Sequence, residues 1–185
     1  MKSYEVISEL KHHLNESDII VSSNGNISRE AFHYLPKPQV YLRGSMGLPV
    51  SVGLGLALAN TTKHVIVITG DGNFLMGLGS MVTAAFYKPN NLKILILDNQ
   101  EYFTTGGQQT TSSKLDYLAF LKSLDINFAR STEASIKTIA NNLEEFINSR
   151  TFSALHLTIE EGKENLENIP WHPEEIARRV IQRLG

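Results

Sequence analysis

The apolar residues of this chain collect in short unbroken runs, separated by stretches with helical spacing. "VIVIT" (65–69) and "ILIL" (94–97) show no polar alternation, the pattern of strands buried on both faces of a parallel sheet. They sit in the strand segments 63–70 and 92–99, and four more segments read as strands: 18–25, 39–44, 126–131 and 153–161. Between them lie helical patterns. Residues 3–14 place Tyr4, Ile7, Leu10 and Leu14 on one stripe, and 28–35 is predicted to be capped by Ser28 and stopped by Pro36. The segment 44–60 is rich in Gly and Ala and apolar nearly all round, so it is expected to be a buried helix that lets other backbones approach. Further helices are predicted over 72–87, 115–124, 133–149 and 173–184, and 101–113 is expected to be a long polar loop. The alternation predicts one domain over residues 1–185, a doubly wound α/β fold with a mainly parallel six-stranded sheet and helices on both faces. The most linker-like stretch, 161–172, is followed by only one helix and does not suggest a second domain.

Composition narrows the function classes. A chain of 185 residues with 42% hydrophobic content suits one well-packed domain. A net charge of -2 gives no electrostatic case for nucleic acid or for an anionic membrane. With no cysteine, disulfides and thiolate metal sites are excluded within the chain. The N-terminus "MKSYEVISELKHHLNES" is polar and amphipathic, and no apolar run reaches membrane-spanning length, so a cytoplasmic protein is expected. His12, His13, His33, His64, His156 and His172 show no metal-ligand spacing and are read as structural or surface residues.

The chemistry gathers at the ends of the two apolar strands. Gly70-Asp71-Gly72 follows the first and Asp98-Asn99 closes the second. In open α/β sheets, ligands sit at the carboxyl ends of the strands, so neighbouring strands would bring Asp71 and Asn99 together. A carboxylate and a carboxamide oxygen, completed by a backbone carbonyl and phosphate oxygens, is a ligand set suited to Mg²⁺. Gly-Asp-Gly alone is ordinary turn chemistry; the flanking buried strands and the glycine-rich helix start favour a metal–diphosphate anchor. A dinucleotide-binding reading fails on the pattern. Gly53-Leu54-Gly55, Gly70-Asp71-Gly72 and Gly77-Leu78-Gly79 each lack the third glycine at the required spacing, and Asp71 would repel a dinucleotide phosphate.

These segments carry a family resemblance. "GDGNFLMGLG…ILILDNQEY" resembles the thiamine-diphosphate (ThDP) binding signature, and "RGSMGLPVSVGLGLALA" resembles the segment that holds the pyrimidine half of that cofactor. With Ser45-Met46-Gly47 and the stretch Tyr102 to Gln108, the chain looks like the ThDP-dependent 2-oxo acid decarboxylases, nearest to the phosphonopyruvate and sulfopyruvate decarboxylases, over residues 18 to 160. The resemblance implies the ThDP-binding fold, ThDP and Mg²⁺ as cofactors, and a lyase. It implies Mg²⁺ ligation by the side chains of Asp71 and Asn99 and by the backbone carbonyl of Glu101. Gly72 and Asn73 would offer backbone N–H groups to the diphosphate, and Asn24-Gly25-Asn26 would touch its other side. Gly44 would accept a hydrogen bond from the aminopyrimidine, and Met46 would wedge beneath the cofactor and force its bent shape. Ser45, Gly70 and Tyr102 complete the implied cofactor-binding set. Thr104, Thr105, Gly106, Gly107 and Gln108 belong to a loop that could close over substrate. Asp98 stands where many ThDP enzymes carry Asn, while the ligand Asn99 is retained.

Enzymes of this kind also need a glutamate against the pyrimidine ring, supplied by a separate pyrimidine-binding domain. The chain has no room for one, so it is expected to be the beta-type subunit of a hetero-oligomer, its catalytic glutamate lying on an alpha-type partner. The expected substrate is a small 2-oxo acid with an anionic 3-substituent, phosphonopyruvate or sulfopyruvate, releasing CO₂ and an aldehyde. Arg43 and Lys114 are candidates for attracting that anionic tail. Three other readings stay open: a carboligase of the acetolactate-synthase type, a 2-oxo acid:ferredoxin oxidoreductase subunit, and a cofactor-binding subunit without activity of its own.

Overall fold

The computed structural model describes residues 1–35, 39–162 and 164–184, with backbone alone for 183 and 184. The helix stop assigned to Pro36 lies outside them. Six strands, β1 (Ile19–Ser22), β2 (Val40–Tyr41), β3 (Val65–Gly70), β4 (Leu92–Asp98), β7 (Phe128–Glu133) and β8 (Ser153–Thr158), form one sheet in the order β2-β1-β3-β4-β8-β7. Every neighbouring pair is parallel. The two apolar runs became the centre: β4 is buried along its whole length, and β3 up to Gly70. The edges are weaker, a two-residue β2 on one side and a half-buried β7 on the other, as suits edges that must not recruit further strands.

Side chains alternate across the strands and feed two cores. On one face Val65, Val67, Ile94 and Ile96 meet Val50 and Leu54 of α3 (Pro49–Ala59), Phe74 of α4 (Asp71–Met76), Met81 of α5 (Leu78–Tyr87) and Leu121 of α6 (Tyr117–Ser123). On the other face Ile66, Ile68, Leu95 and Leu155 meet Val6 and Ile7 of α1 (Ser3–Leu10) and Leu143 and Phe146 of α7 (Ile139–Asn148). Each such buried side chain contributes about 1.5–3 kcal/mol of transfer free energy. A smaller cluster joins Ala31 of α2 (Asn26–Tyr34) to Tyr41, Ile169 and Ile176, the last on α8 (Pro173–Leu184). The linker-like stretch before α8 therefore runs back against the β2 edge.

Several elements depart from the sequence expectation. The helix predicted over 72–87 is two helices, broken at Gly77. A Cβ on Gly77 would lie 2.0 Å from the carbonyl oxygen of Gly47, so the strand-to-helix loop and this turn touch backbone to backbone. No side chain fits there, and the helix yields. Helix α2 starts at Asn26 rather than Ser28, with Gly25 as its N-cap at φ +85. Ser28 lies inside it and donates from Oγ to the Gly25 carbonyl at 3.0 Å. The polar stretch 101–113 holds a small antiparallel hairpin, β5 (Glu101–Tyr102) with β6 (Gln108–Gln109), and single turns of 3₁₀-helix at Phe103–Thr105 and Ser112–Lys114. The helix predicted from 133 begins at Ile139, because β7 runs on to Glu133.

Lys93 interrupts the apolar run of β4 yet is fully buried. Its ammonium donates to the carbonyls of Ser149 and Thr151 (2.8 Å to the latter) and to Ser153 Oγ at 3.1 Å. It thereby satisfies backbone acceptors beyond the C-terminus of α7.

Strand β1 leads outward to β2, and α3 then returns the chain to β3 on the other side of β1. The strand order reverses between β1 and β3. The crevice beyond their carboxyl ends is where such a sheet binds ligands.

Candidate cofactor site

A cavity of about 170 Å³ opens at that reversal. The turn after β1 supplies Ser23, Asn24, Gly25 and Asn26, and the turn after β3 supplies Gly70, Asp71, Gly72 and Asn73. The end of β4 and the hairpin supply Asn99, Glu101, Tyr102, Thr104 and Thr105, and the loop before α3 supplies Met46. The register of β3 and β4 pairs Gly70 with Leu97, so Asp71 and Asp98 leave the sheet at the same level. Gly44, Ser45, Gly106, Gly107 and Gln108 do not line the cavity, and all five are exposed. Ser45 holds a positive φ of 59, and the Gln108 amide turns inward on its own hairpin to Thr105. Lys114 ends its 3₁₀ turn and does not line the cavity.

Asp71 is 2% exposed. Burial pushes its carboxyl up to about 6, against a hydrogen bond from Thr110 that favours the anion, and the Asp98 charge pushes the same way as burial. Thr110 Oγ1 donates to Asp71 Oδ2 at 2.5 Å. Thr110 reaches it because β6 brings the far end of the hairpin back over the β3 turn, its backbone N–H donating to the Gln100 carbonyl at 2.8 Å. Asn99 Oδ1 accepts the Glu101 N–H at 3.2 Å, which orients the carboxamide at the mouth of the hairpin. The Tyr102 ring packs on the Gly72 backbone so closely that a Cβ there would sit 2.3 Å from Cε1.

Asn73 is a brace. Its Oδ1 accepts the Gly47 N–H at 3.0 Å, which fixes the orientation of the amide, and its Nδ2 donates to Asn24 Oδ1 at 3.0 Å. One side chain thus ties together the turn after β1, the loop carrying Met46 and the turn after β3. Its side-chain groups are occupied and its carbonyl accepts the Gly77 N–H at 3.1 Å, so its part in holding a ligand falls to the backbone N–H at the helix start.

Behind Asn99 lies a second polar layer, buried except for the half-buried Ser131. Asp98 accepts from His156 Nε2 at 3.0 Å and from Ser112 Oγ; His156 Nδ1 meets Ser131 Oγ at 2.7 Å, and its ring stacks on Tyr117 with centroids 3.8 Å apart. Burial works to raise the Asp98 carboxyl, but the bonds from His156 and Ser112 hold it below the usual carboxylate range. Sequence reasoning missed Thr110, Ser112 and His156 as parts of the site. The signal available was a histidine inside the apolar strand "SALHL", where a polar ring requires a partner.

The cavity wall tests the expected cofactor. Among the described residues it contains the acids Asp71 and Glu101 and no Lys, Arg or His. A diphosphate placed there would face carboxylates without a compensating side-chain cation, unless a metal ion came with it. No three His, Cys, Asp or Glu side chains cluster as a metal site among the described residues, so such an ion would rely on Asn99 and backbone oxygen beside Asp71. Ser23 Oγ, buried in the same wall, has no hydrogen-bond partner among the described residues. The donor set fits a diphosphate held through a hard cation.

Comparison with known proteins gives the same direction. Residues 23–157 match the family model of the thiamine pyrophosphate enzymes, C-terminal TPP binding domain. Sulfopyruvate decarboxylase subunit beta of Methanothermobacter thermautotrophicus is 35% identical over 170 residues, 91% of this chain and 88% of that one. Phosphonopyruvate decarboxylase of Streptomyces viridochromogenes is 35% identical over 162 residues, 86% of this chain but 40% of that one. Benzoylformate decarboxylase of Polynucleobacter necessarius shares the fold with a TM-score of 0.74 at 17% identity, covering 90% of this chain and 34% of that one. This chain therefore spans about a third of that solved structure. The relatives are named as decarboxylases, and the chain belongs to the thiamine pyrophosphate enzymes, as a C-terminal TPP-binding domain.

Proposed function

We infer that this chain is the ThDP- and Mg²⁺-binding subunit of a decarboxylase acting on a small anionic 3-substituted pyruvate, phosphonopyruvate or sulfopyruvate. The observation that carries the cofactor part is the acidic cavity wall at the strand reversal, which suits a diphosphate only in company with a divalent cation. Asp71, Asn99 and the Glu101 carbonyl would hold the ion, and backbone N–H groups of Gly72 and Asn73, with the turn Asn24-Gly25-Asn26, would hold the diphosphate. Met46 would support the cofactor from the loop that Asn73 braces. When bound, ThDP supplies the electron sink for loss of CO₂; the chain's own residues bind it, orient it and keep its charged tail out of water. The choice of substrate class leans on the relatives named sulfopyruvate and phosphonopyruvate decarboxylases.

The name "subunit beta" borne by the Methanothermobacter and Methanocaldococcus relatives supports a partner subunit for this chain too. We take that partner to be a pyrimidine-binding, alpha-type chain carrying the activating glutamate, and the whole of this chain to act as one diphosphate-binding unit. Helices α3, α4 and α5 leave Leu58, Met76, Val82, Phe86 and Tyr87 between 46% and 82% exposed on one side of the sheet, a patch suited to burial against another chain.

The test has two arms. Calorimetry should find ThDP binding that depends on Mg²⁺ and disappears in Asp71→Ala; retention of ThDP by that variant would end the metal-anchor reading. CO₂ release by the assembled enzyme should favour sulfopyruvate or phosphonopyruvate over pyruvate, and a preference for pyruvate would refute the substrate assignment.

A further inference from the structure

A second, smaller cavity of about 140 Å³ shares Gly25 with the cofactor cavity. Its other walls are Ser28 and Arg29 from the first turn of α2, Arg43 from the loop after β2, and Asn168 and Ile169 from the stretch before α8. Among the described residues no Asp or Glu lines it. Two arginines line it in a chain whose net charge is -2.

The two arginines are held differently. Arg43 is exposed and donates from Nη1 to the Trp171 carbonyl at 2.9 Å, which leaves its remaining N–H groups unspent. Arg29 is half-buried on the helix and makes no hydrogen bond or ion pair among the described residues. A half-buried cation without a counter-charge is unfavourable by itself, and an oxyanion relieves it. Helix α2 has nine residues and begins at Asn26, just after its N-cap Gly25, so its N-terminal dipole adds to the same field. Ser28 Oγ is already engaged with the Gly25 carbonyl, which leaves the arginines as the principal donors.

We propose that Arg29 and Arg43 form the receptor for the anionic tail, phosphonate or sulfonate, of the 2-oxo acid substrate. The proposal rests on the ThDP reading above, because only the shared Gly25 wall connects this cavity to the chemistry. Two guanidinium forks match the tetrahedral oxygens of a phosphonate or sulfonate, and they leave an uncharged methyl tail without a partner. Selectivity over pyruvate then arises within this chain. The sequence singled out Arg43 as an isolated cation; the fold gives it a second one.

The same oxyanion chemistry could instead be the diphosphate of the cofactor, and the experiment separates the two. The isotope-labelled chain is titrated with sulfoacetate, phosphonoacetate and, as control, acetate, while amide and arginine Nε resonances are followed. ThDP–Mg²⁺ affinity is measured in parallel by calorimetry. Saturable shifts at Gly25, Arg29, Arg43 and Ile169 are expected with the first two probes and not with acetate. Affinity should fall at least tenfold in the double variant Arg29→Gln/Arg43→Gln and partly recover in Arg29→Lys/Arg43→Lys, with ThDP–Mg²⁺ affinity unchanged. The dispersion of the same spectra reports whether each variant is folded, and each single variant replaces a double variant that is not. The proposal is overturned if no such shifts occur, if acetate reproduces them, if the Gln variants retain them, or if ThDP affinity falls in parallel. A chain that binds the probes but no ThDP would sink the cofactor reading and not the anion site.

Discussion

Asp98 and His156 meet across adjacent strands, Oδ2 to Nε2 at 3.0 Å, with both residues buried. The pair sits directly behind Asn99, and Ser112 joins it from the end of the hairpin. Removing the imidazole strands a buried carboxylate, which typically costs about 3–5 kcal/mol. His156→Ala is therefore expected to lower stability by about 3 kcal/mol in urea unfolding. Asp98→Asn should cost clearly less, because it removes the charge that needed the partner. Equal losses in the two variants would contradict the charge argument.

Thr110 touches Asp71 and lines no part of the cavity. Its hydroxyl opposes the effect of burial on the carboxyl. Thr110→Val keeps the shape and removes the donor, so Mg²⁺-dependent ThDP affinity should fall about 10-fold or more. Calorimetry at fixed pH reads this directly, and unaltered affinity would mean that the bond does not orient the carboxylate.

Gly77→Ala should be severe. The added methyl would need the space of the Gly47 carbonyl oxygen, 2.0 Å away, so the Met46 loop or α5 must move. A loss of about 2–4 kcal/mol is expected, in the range of forced overpacking and backbone displacement. Weakened ThDP binding should accompany it, because Asn73 holds Gly47. Wild-type thermal stability in this variant would show that the close approach is easily relieved.

Glu30 is 1% exposed, and neither of its carboxylate oxygens has a well-formed hydrogen bond among the described residues. Burial raises its carboxyl from 4.5 to about 7, with Ser3 pulling the other way and Glu164 adding to the rise. Between those values the folded state holds a proton that the unfolded state has released. Stability should therefore decline as pH rises from 4.5 to about 7, and the full shift corresponds to about 3 kcal/mol. Glu30→Gln should remove that decline, as read from unfolding free energies at pH 5 and 8 on; a variant retaining the wild-type slope would assign it to other groups.

Phe86 is 82% exposed on α5, beside Val82 and Tyr87. Phe86→Asp should leave the chain folded and reduce its co-elution with the partner subunit in size-exclusion chromatography. Undiminished co-elution would move the interface elsewhere.

Much of this protein could be read along the chain. The unbroken apolar runs marked β3 and β4 as central parallel strands, since only burial on both faces tolerates such a pattern. With the carboxyl-end rule, that places Asp71 and Asn99 on one rim. The motif spacing led to the family, because an acid between glycines and an Asn at the next strand end is a chemical requirement carried by local sequence. What sequence could not supply were contacts between segments far apart in the chain. Helix 72–87 looks continuous until Gly47 arrives against Gly77, and no local pattern tells that the Asn73 side chain ties Gly47 to Asn24. Thr110 and His156 acquire roles only when the hairpin folds back and β8 pairs with β4. Arg29 and Arg43 are lone basic residues until α2 and the β2 loop converge. Periodicity and motifs are local properties and survive in one dimension. Pairings of buried polar groups and converging charges depend on which segments the sheet order brings together, and only the tertiary structure decides that.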